Sequence, residues 1–279
     1  MIKFNSISVS LVCRASALAI FLLSGSIVFA QDKSEKKIRS FCTGNNYSHN
    51  ERISFKEIRE TTVRAGSVLE VDGMRNGGIQ IKGEERADVL VRACIQTTGA
   101  SEQEAQALAK TVRIETSPRV RAENSADESG WAVSYEILVP RSTNLKLQTH
   151  NGGISIASVE GTLEFEAHNG GINLIDLAGD VKGKTTNGGV NVKLSGNNWK
   201  GAGLDVETKN GGVNLTMPET YAARIETGTV NGGFKSDIAA LSADRNERTR
   251  GVRINTDING GGAPVRVITT NGGVRINSN

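Results

Sequence analysis

The sequence predicts an all-β protein, a β-solenoid or β-helix of stacked Asn-Gly-Gly rungs with one short helix in its N-terminal part. Three observations carry that expectation. Asn-Gly-Gly occurs at Asn76, Asn151, Asn169, Asn187, Asn210, Asn231, Asn259 and Asn271. Apolar and polar residues alternate on both sides of six of these motifs, the period of a strand with one buried face. Charges in the outward columns mostly change sign from one repeat to the next, as neighbours on paired strands should.

The chain opens with a leader. Lys3 and Arg14 are followed by an apolar run, Ala15 to Ala30, broken only by Ser16, Ser24, Gly25 and Ser26. It ends Val28-Phe29-Ala30, a small-residue cleavage pattern, so residues 1–30 are expected to be a signal peptide. The run is short and interrupted for a membrane span, and no transmembrane segment is expected in the mature chain. Cys13 precedes the run, where a lipid attachment site is not expected. Export to the periplasm, the cell surface or the medium follows. Without Lys3 and Arg14 the chain holds 31 basic and 30 acidic residues. That balance argues against a nucleic-acid partner, which calls for a clustered basic face.

Residues 31–52 form a polar N-terminal segment. Cys42 lies in it and Cys94 lies in a strand pattern. An even pair in an exported chain predicts a disulfide. It would close a loop of about 50 residues and stabilise by roughly 3–4 kcal/mol on the chain-entropy model. The spacing matches neither a CxxC redox pair nor a zinc site.

Residues 53–140 are expected to form an N-terminal β-rich cap. Val68, Val71, Ile79, Ile81, Val89, Val91 and Ala93 alternate with polar residues. Asn76-Gly77-Gly78 lies among them, which suggests a divergent first rung. Ser101-Glu102-Gln103-Glu104 is a capping box that opens a helix through about Lys110. Val112 to Ile114 resumes strand. Trp131 to Val139 forms another, stopped by Pro140.

Residues 141–279 are expected to be the repeat solenoid. Six residues before the Asn stand Leu145, Leu163, Val181, Leu204, Ile225 and Val265. Three after it stand Ile154, Ile172, Val190, Val213, Phe234 and Val274. Asn-Gly favours positive φ, so each motif is expected to be a tight corner. A meander of hairpins would also fit such corners. The outward column Lys146, Glu164, Lys182, Asp205, Glu226, Arg266 favours stacked parallel rungs instead. There, equivalent residues are direct neighbours about 4.8 Å apart, whereas in a meander they lie two strands apart. Asn173, Asn191 and Asn214, four residues after their motifs, are expected to stack as an amide ladder. They also mark a possible ligand face. Residues 242–250 read as a charged insertion, solvated or ligand-binding.

Val139-Pro140 followed by Leu145-x-Leu147-x-Thr149-x-Asn151-Gly152-Gly153-Ile154-x-Ile156, and then the repeat, resembles a bacterial adhesin-candidate β-strand-repeat family, a domain of unknown function. The resemblance covers roughly residues 55–279. It implies a β-helical or β-solenoid fold at the cell envelope and offers no catalytic motif to carry over. The end Ser278-Asn279 carries no aromatic signal, so neither outer-membrane insertion nor a wall anchor is expected.

Candidate chemistry is sparse. His150 and His168 are expected on adjacent rungs but lack a third metal ligand, the next positions being Thr186 and Lys209. Glu164, Glu166, Asp205 and Glu207 project outward, and paired carboxylates cleave glycans. Basic neighbours in the same columns favour a charge ladder instead. Gly170 to Asp176 lacks the glycine and Asp register of calcium-binding nonapeptides. No nucleophile set is recognisable, and no cofactor or metal is expected. Two functions follow. The preferred one is a non-enzymatic envelope scaffold or adhesin-like binding module for a glycan or protein. The alternative is a polysaccharide-active enzyme, which a carboxylate cluster free of Lys and Arg would favour.

Overall fold

The structure is a computed structural model and describes residues 41–42, 52–125, 129–242 and 251–279. The leader, nearly all of the polar segment, and the charged insertion apart from Ser242 lie outside the described residues. Phe41 and Cys42 have helical backbone, and Cys42 is buried.

Alternating sequence becomes strand throughout the rest. β1 (Ile53–Arg64), β2 (Leu69–Asp72), β3 (Ile79–Glu84) and β4 (Asp88–Gly99) lead into the helix α1 (Glu102–Thr111). β5 (Val112–Glu115) and β6 (Arg121–Asn124) form a small antiparallel pair, and β7 (Trp131–Pro140) follows. Strand pairs then flank the motifs. They are β8 (Leu145–Thr149) with β9 (Ile154–Ala157), β10 (Glu160–Asn169) with β11 (Ile172–Ile175), and β12 (Ala178–Asn187) with β13 (Val190–Lys193). β14 (Gly203–Asn210) with β15 (Val213–Met217) and β16 (Ala223–Asn231) with β17 (Phe234–Ser236) come next. β18 (Val252–Ile258) precedes the last pair, β19 (Pro264–Asn271) and β20 (Val274–Ser278).

Two large sheets result. One runs β1-β4-β7-β3-β9-β11-β13-β15-β20-β17, and the other runs β18-β16-β19-β14-β12-β10-β8-β2. Residues 145–217 pair in parallel, not as antiparallel hairpins. Registers match the columns of the sequence: Leu163 faces Leu145 and Val181, and Ile172 faces Ile154 and Val190. β2 and β3, which flank Asn76, pair in parallel with β8 and β9; β3 keeps the register of the repeat, and β2 carries one extra residue before its asparagine. Antiparallel strands close the ends, β18 on β16 and β1 on β4.

Among the strand pairs from β8 onward, the order departs from the chain in one place. The final pair, β19 and β20, lies between β14–β15 and β16–β17. The outward charges give a physical reason. In spatial order the column reads Glu70, Lys146, Glu164, Lys182, Asp205, Arg266, Glu226, with every neighbour opposite in sign. In chain order Asp205 and Glu226 would face each other.

The helix forms where its caps are. Ser101 Oγ accepts from Glu104 N at 3.2 Å, and Glu104 Oε2 accepts from Ala100 N at 2.8 Å. Acidic Glu102 and Glu104 occupy the positive end of the helix dipole. At its other end the Arg59 guanidinium donates to the carbonyl of Ala109, which also accepts the Val112 N–H, and to the carbonyl of Val112, the C-cap residue.

The core lies between the two sheets. Leu145, Leu163, Val181, Leu204, Val265 and Ile225 stack from one sheet, and Ile156, Leu174, Val192, Leu215 and Ile276 from the other, all buried. Each such side chain contributes roughly 1.5–3 kcal/mol on burial. Volume is traded along one column. Phe165 turns its ring over Gly183, where a Cβ would stand 1.9 Å from the ring. The large residue fills the space that the glycine leaves.

Candidate functional site

The Asn-Gly-Gly motifs build a surface of their own. The asparagine amides form one hydrogen-bonded row. Asn151 Nδ2 donates to Asn76 Oδ1 at 2.9 Å. Asn169, Asn187, Asn210, Asn271 and Asn231 continue it, each Nδ2 donating to the Oδ1 of the asparagine before it in the row at 2.8 Å. Sequence reasoning placed the amide ladder in the wrong column. It also assigned the motif to positive φ, yet none of these seven asparagines has one. Left-handed residues sit on the opposite turn instead, at Ser158 and Asp176. Asn259 stands apart, with φ of 49°, on the turn between β18 and β19. Its amide donates to the carbonyls of Glu219 and Tyr221.

Close stacking explains the first glycine of each motif except that at Asn259. A Cβ on Gly170 would stand 1.9 Å from the Gly152 carbonyl oxygen, and one on Gly188 would stand 2.2 Å from that of Gly170. Threonines two residues before the asparagines cap the same corners. Thr149, Thr185, Thr208 and Thr269 donate to the carbonyls of Gly77, Gly170, Gly188 and Gly211 at 2.6–2.8 Å.

On the outer face of the eight-stranded sheet the carboxylates are matched by cations. Glu166 meets Lys184 at 3.3 Å. Arg266 bonds Asp205 and lies 3.4 Å from Glu207 and 3.7 Å from Glu226. Glu164 sits in register between Lys146 and Lys182. Burial and the opposing pull of these carboxylates act on Arg266, whose pKa is raised on balance.

His150 and His168 stack, with ring centroids 4.6 Å apart and planes 9° from parallel. A metal binds in the plane of an imidazole, so two parallel stacked rings offer it no shared point. Asn173, Asn191 and Asn214 share one register, with Ser155 before them and Arg275 after. Among the described residues no hydrogen bond joins the three. Asn173 donates to Ser155 Oγ at 3.1 Å, and Asn214 accepts from Asn277 at 2.5 Å. Cys42 and Cys94 are both disulfide-bonded. Among the described residues, no helix is long and apolar enough to cross a membrane.

One feature escaped the sequence pattern. A cavity of about 640 Å³ opens beside the corner between β2 and β3. Met74, Arg75, Trp131 and Tyr135 line it, together with Arg52 and Asn151. Tyr135 reads in sequence as one more inward residue of β7, and nothing local marks its hydroxyl as different.

A family model described as Toastrack DUF4097 matches residues 123–277. No curated protein matches the chain. Among solved structures, the chain is similar to a candidate cell adhesion protein from Clostridium sporogenes at 14% identity and a TM-score of 0.39, covering 81% of this chain and 100% of that one. It is similar to a candidate adhesin from Parabacteroides merdae at 9% identity and a TM-score of 0.33, covering 79% and 95%. A candidate lipid binding protein from Parabacteroides distasonis matches at 10% identity and a TM-score of 0.30, covering 79% and 96%.

Proposed function

As the chain belongs to the Toastrack DUF4097 family, we propose that it is an exported, non-enzymatic β-solenoid whose outer surfaces bind an envelope glycan or protein. The solenoid reading is supported by parallel, in-register pairing in both sheets across the Asn-Gly-Gly corners. Residues 1–30 serve as the leader, 31–52 as a polar segment, 53–140 as the cap and 141–279 as the repeat. Cys42 and Cys94 bond to each other, which suits an oxidising compartment outside the cytoplasm. Non-reducing peptide mapping of protein from the envelope recovers them as one linked peptide. Two free thiols would end that assignment.

The observation that carries the non-enzymatic reading is the pairing of the outward carboxylates. A glycosidase needs one carboxyl held protonated and another free to act. Here Glu166, Asp205 and Glu207 are held by Lys184 and Arg266. Regular polar columns suit an extended polar ligand better than an apolar cofactor, which calls for a concave apolar pocket. The row Asn173, Asn191, Asn214 is the proposed ligand face.

The test incubates the mature protein, recovered from the envelope, with polysaccharide from the same envelope. Retention without release of reducing ends or unsaturated sugars is expected. Asn191→Ser with Asn214→Ser weakens retention if that face binds. Unchanged retention with a lower melting temperature makes the row structural. Turnover that is lost in Glu207→Gln would replace the binding reading with the enzymatic one.

A further inference from the structure

The cavity beside the β2–β3 corner holds a polar group that the fold leaves unused. Tyr135 is 1% exposed, and its hydroxyl has no hydrogen-bond partner among the described residues. Buried polar groups almost always find one, because leaving water without compensation is costly. Tyr135 is among the residues lining a space of about 640 Å³, within the range of small-ligand sites. Arg52 and Arg75 stand on the same cavity, and neither has a carboxylate partner among the described residues. This differs from the outer face, where Arg266 is shared among three carboxylates. The Trp131 indole gives the cavity an aromatic surface, and the Asn151 amide gives it a donor and an acceptor.

We propose that this cavity binds a carboxylate-bearing sugar, with Arg52 and Arg75 facing the carboxylate, Tyr135 donating to a ring or hydroxyl oxygen, and Trp131 against the apolar face of the ring. The site rests on the glycan-binding reading and gives it a ligand class. Two guanidiniums without a carboxylate partner among the described residues select an anion and match a carboxylate in planar, forked geometry. The indole and the buried phenol select the sugar, since a simple inorganic anion would leave both without a partner. Burial, with the Asp72 carboxylate nearby, raises the Tyr135 pKa, so the hydroxyl stays a donor at neutral pH.

The experiment is calorimetric titration of the full-length chain with sodium D-glucuronate, D-glucose and glycylglycine. Saturable binding of glucuronate is expected, at least tenfold tighter than glucose and than the dipeptide. Tyr135→Phe and Arg75→Gln each weaken glucuronate about tenfold. The Tyr135→Phe melting temperature is unchanged or raised, since only an unpaired hydroxyl is removed. Absence of glucuronate binding overturns the site. So does equal binding by Tyr135→Phe, by glucose or by glycylglycine. Retention on envelope polysaccharide is measured on Tyr135→Phe in parallel. If glucuronate fails while retention persists, the cavity is wrong and the binding function stands. If both fail in the unaltered chain, the function falls with the site.

Discussion

At the scale of single residues, the repeat is governed by what a corner tolerates. Asn-Gly-Gly is plain in the sequence, but its reason is not. A local rule gives glycine its freedom at positive φ, and that rule holds here only at Asn259-Gly260-Gly261, where φ is 49°, 92° and 76°. At the stacked corners the reason is non-local, because a carbonyl of the neighbouring strand occupies the space of a Cβ. No single window of sequence contains that neighbour. The two glycines of one motif therefore differ. A Cβ on Gly170 would stand 1.9 Å from backbone, whereas one on Gly171 would stand 3.3 Å from it. Gly170→Ala is predicted to destabilise by about 2–3 kcal/mol, as overpacking against immovable backbone does. Gly171→Ala is predicted to cost less than about 1 kcal/mol. Urea denaturation of the two variants measures the difference, and equal costs would remove the steric account of the corner.

At the scale of elements, charge records the neighbours. The helix was legible because its signals are local: the capping box at Ser101–Glu104 lies one residue from the observed start. The strands were legible because alternation is local too. The order of the last strands was not, although a trace existed. Down the chain the outward column alternates until Asp205 is followed by Glu226, and Arg266 comes last. That lapse in alternation marks where a strand from later in the chain intervenes, and β19 lies there. Reversing the charge at that point tests the assignment. Arg266→Glu places three carboxylates on adjacent strands and is predicted to destabilise by about 1–2 kcal/mol at low salt. The loss shrinks in 1 M salt, where the screening length falls to about 3 Å. A loss independent of salt would assign Arg266 a packing role instead.

At the scale of the whole molecule, burial couples stability to pH at the alkaline end. Tyr135 and Tyr221 are each 1% exposed. Burial raises both pKa values, that of Tyr221 to about 12. A raised pKa in the folded state means that the unfolded chain loses its proton first. The contribution is fully present below pH 10 and is lost as pH rises through the folded value. Stability is predicted to fall by roughly 1.4 kcal/mol per pH unit for each tyrosine between about pH 10 and 12. Tyr221→Phe is predicted to halve that slope in chemical denaturation. An unchanged slope would assign the alkaline loss to other groups. The cavity beside Tyr135 was illegible in sequence for a related reason. Arg52, Arg75 and Trp131 are far apart in the chain, and only the docking of β7 beside β3 brings them together.

The central claim is that every repeat stacks in parallel register, with the last one set between its predecessors. Cysteine pairs in an otherwise Cys13→Ser, Cys42→Ser, Cys94→Ser chain test it most directly. In-register parallel neighbours lie about 4.8 Å apart, within the Cα range that a disulfide spans, and next-nearest strands do not. Asp205→Cys with Arg266→Cys is predicted to oxidise to an intramolecular bond in the folded protein. Asp205→Cys with Glu226→Cys is predicted to stay reduced, because β19 stands between the two positions. A bond between positions 205 and 226, with none between 205 and 266, would contradict the account.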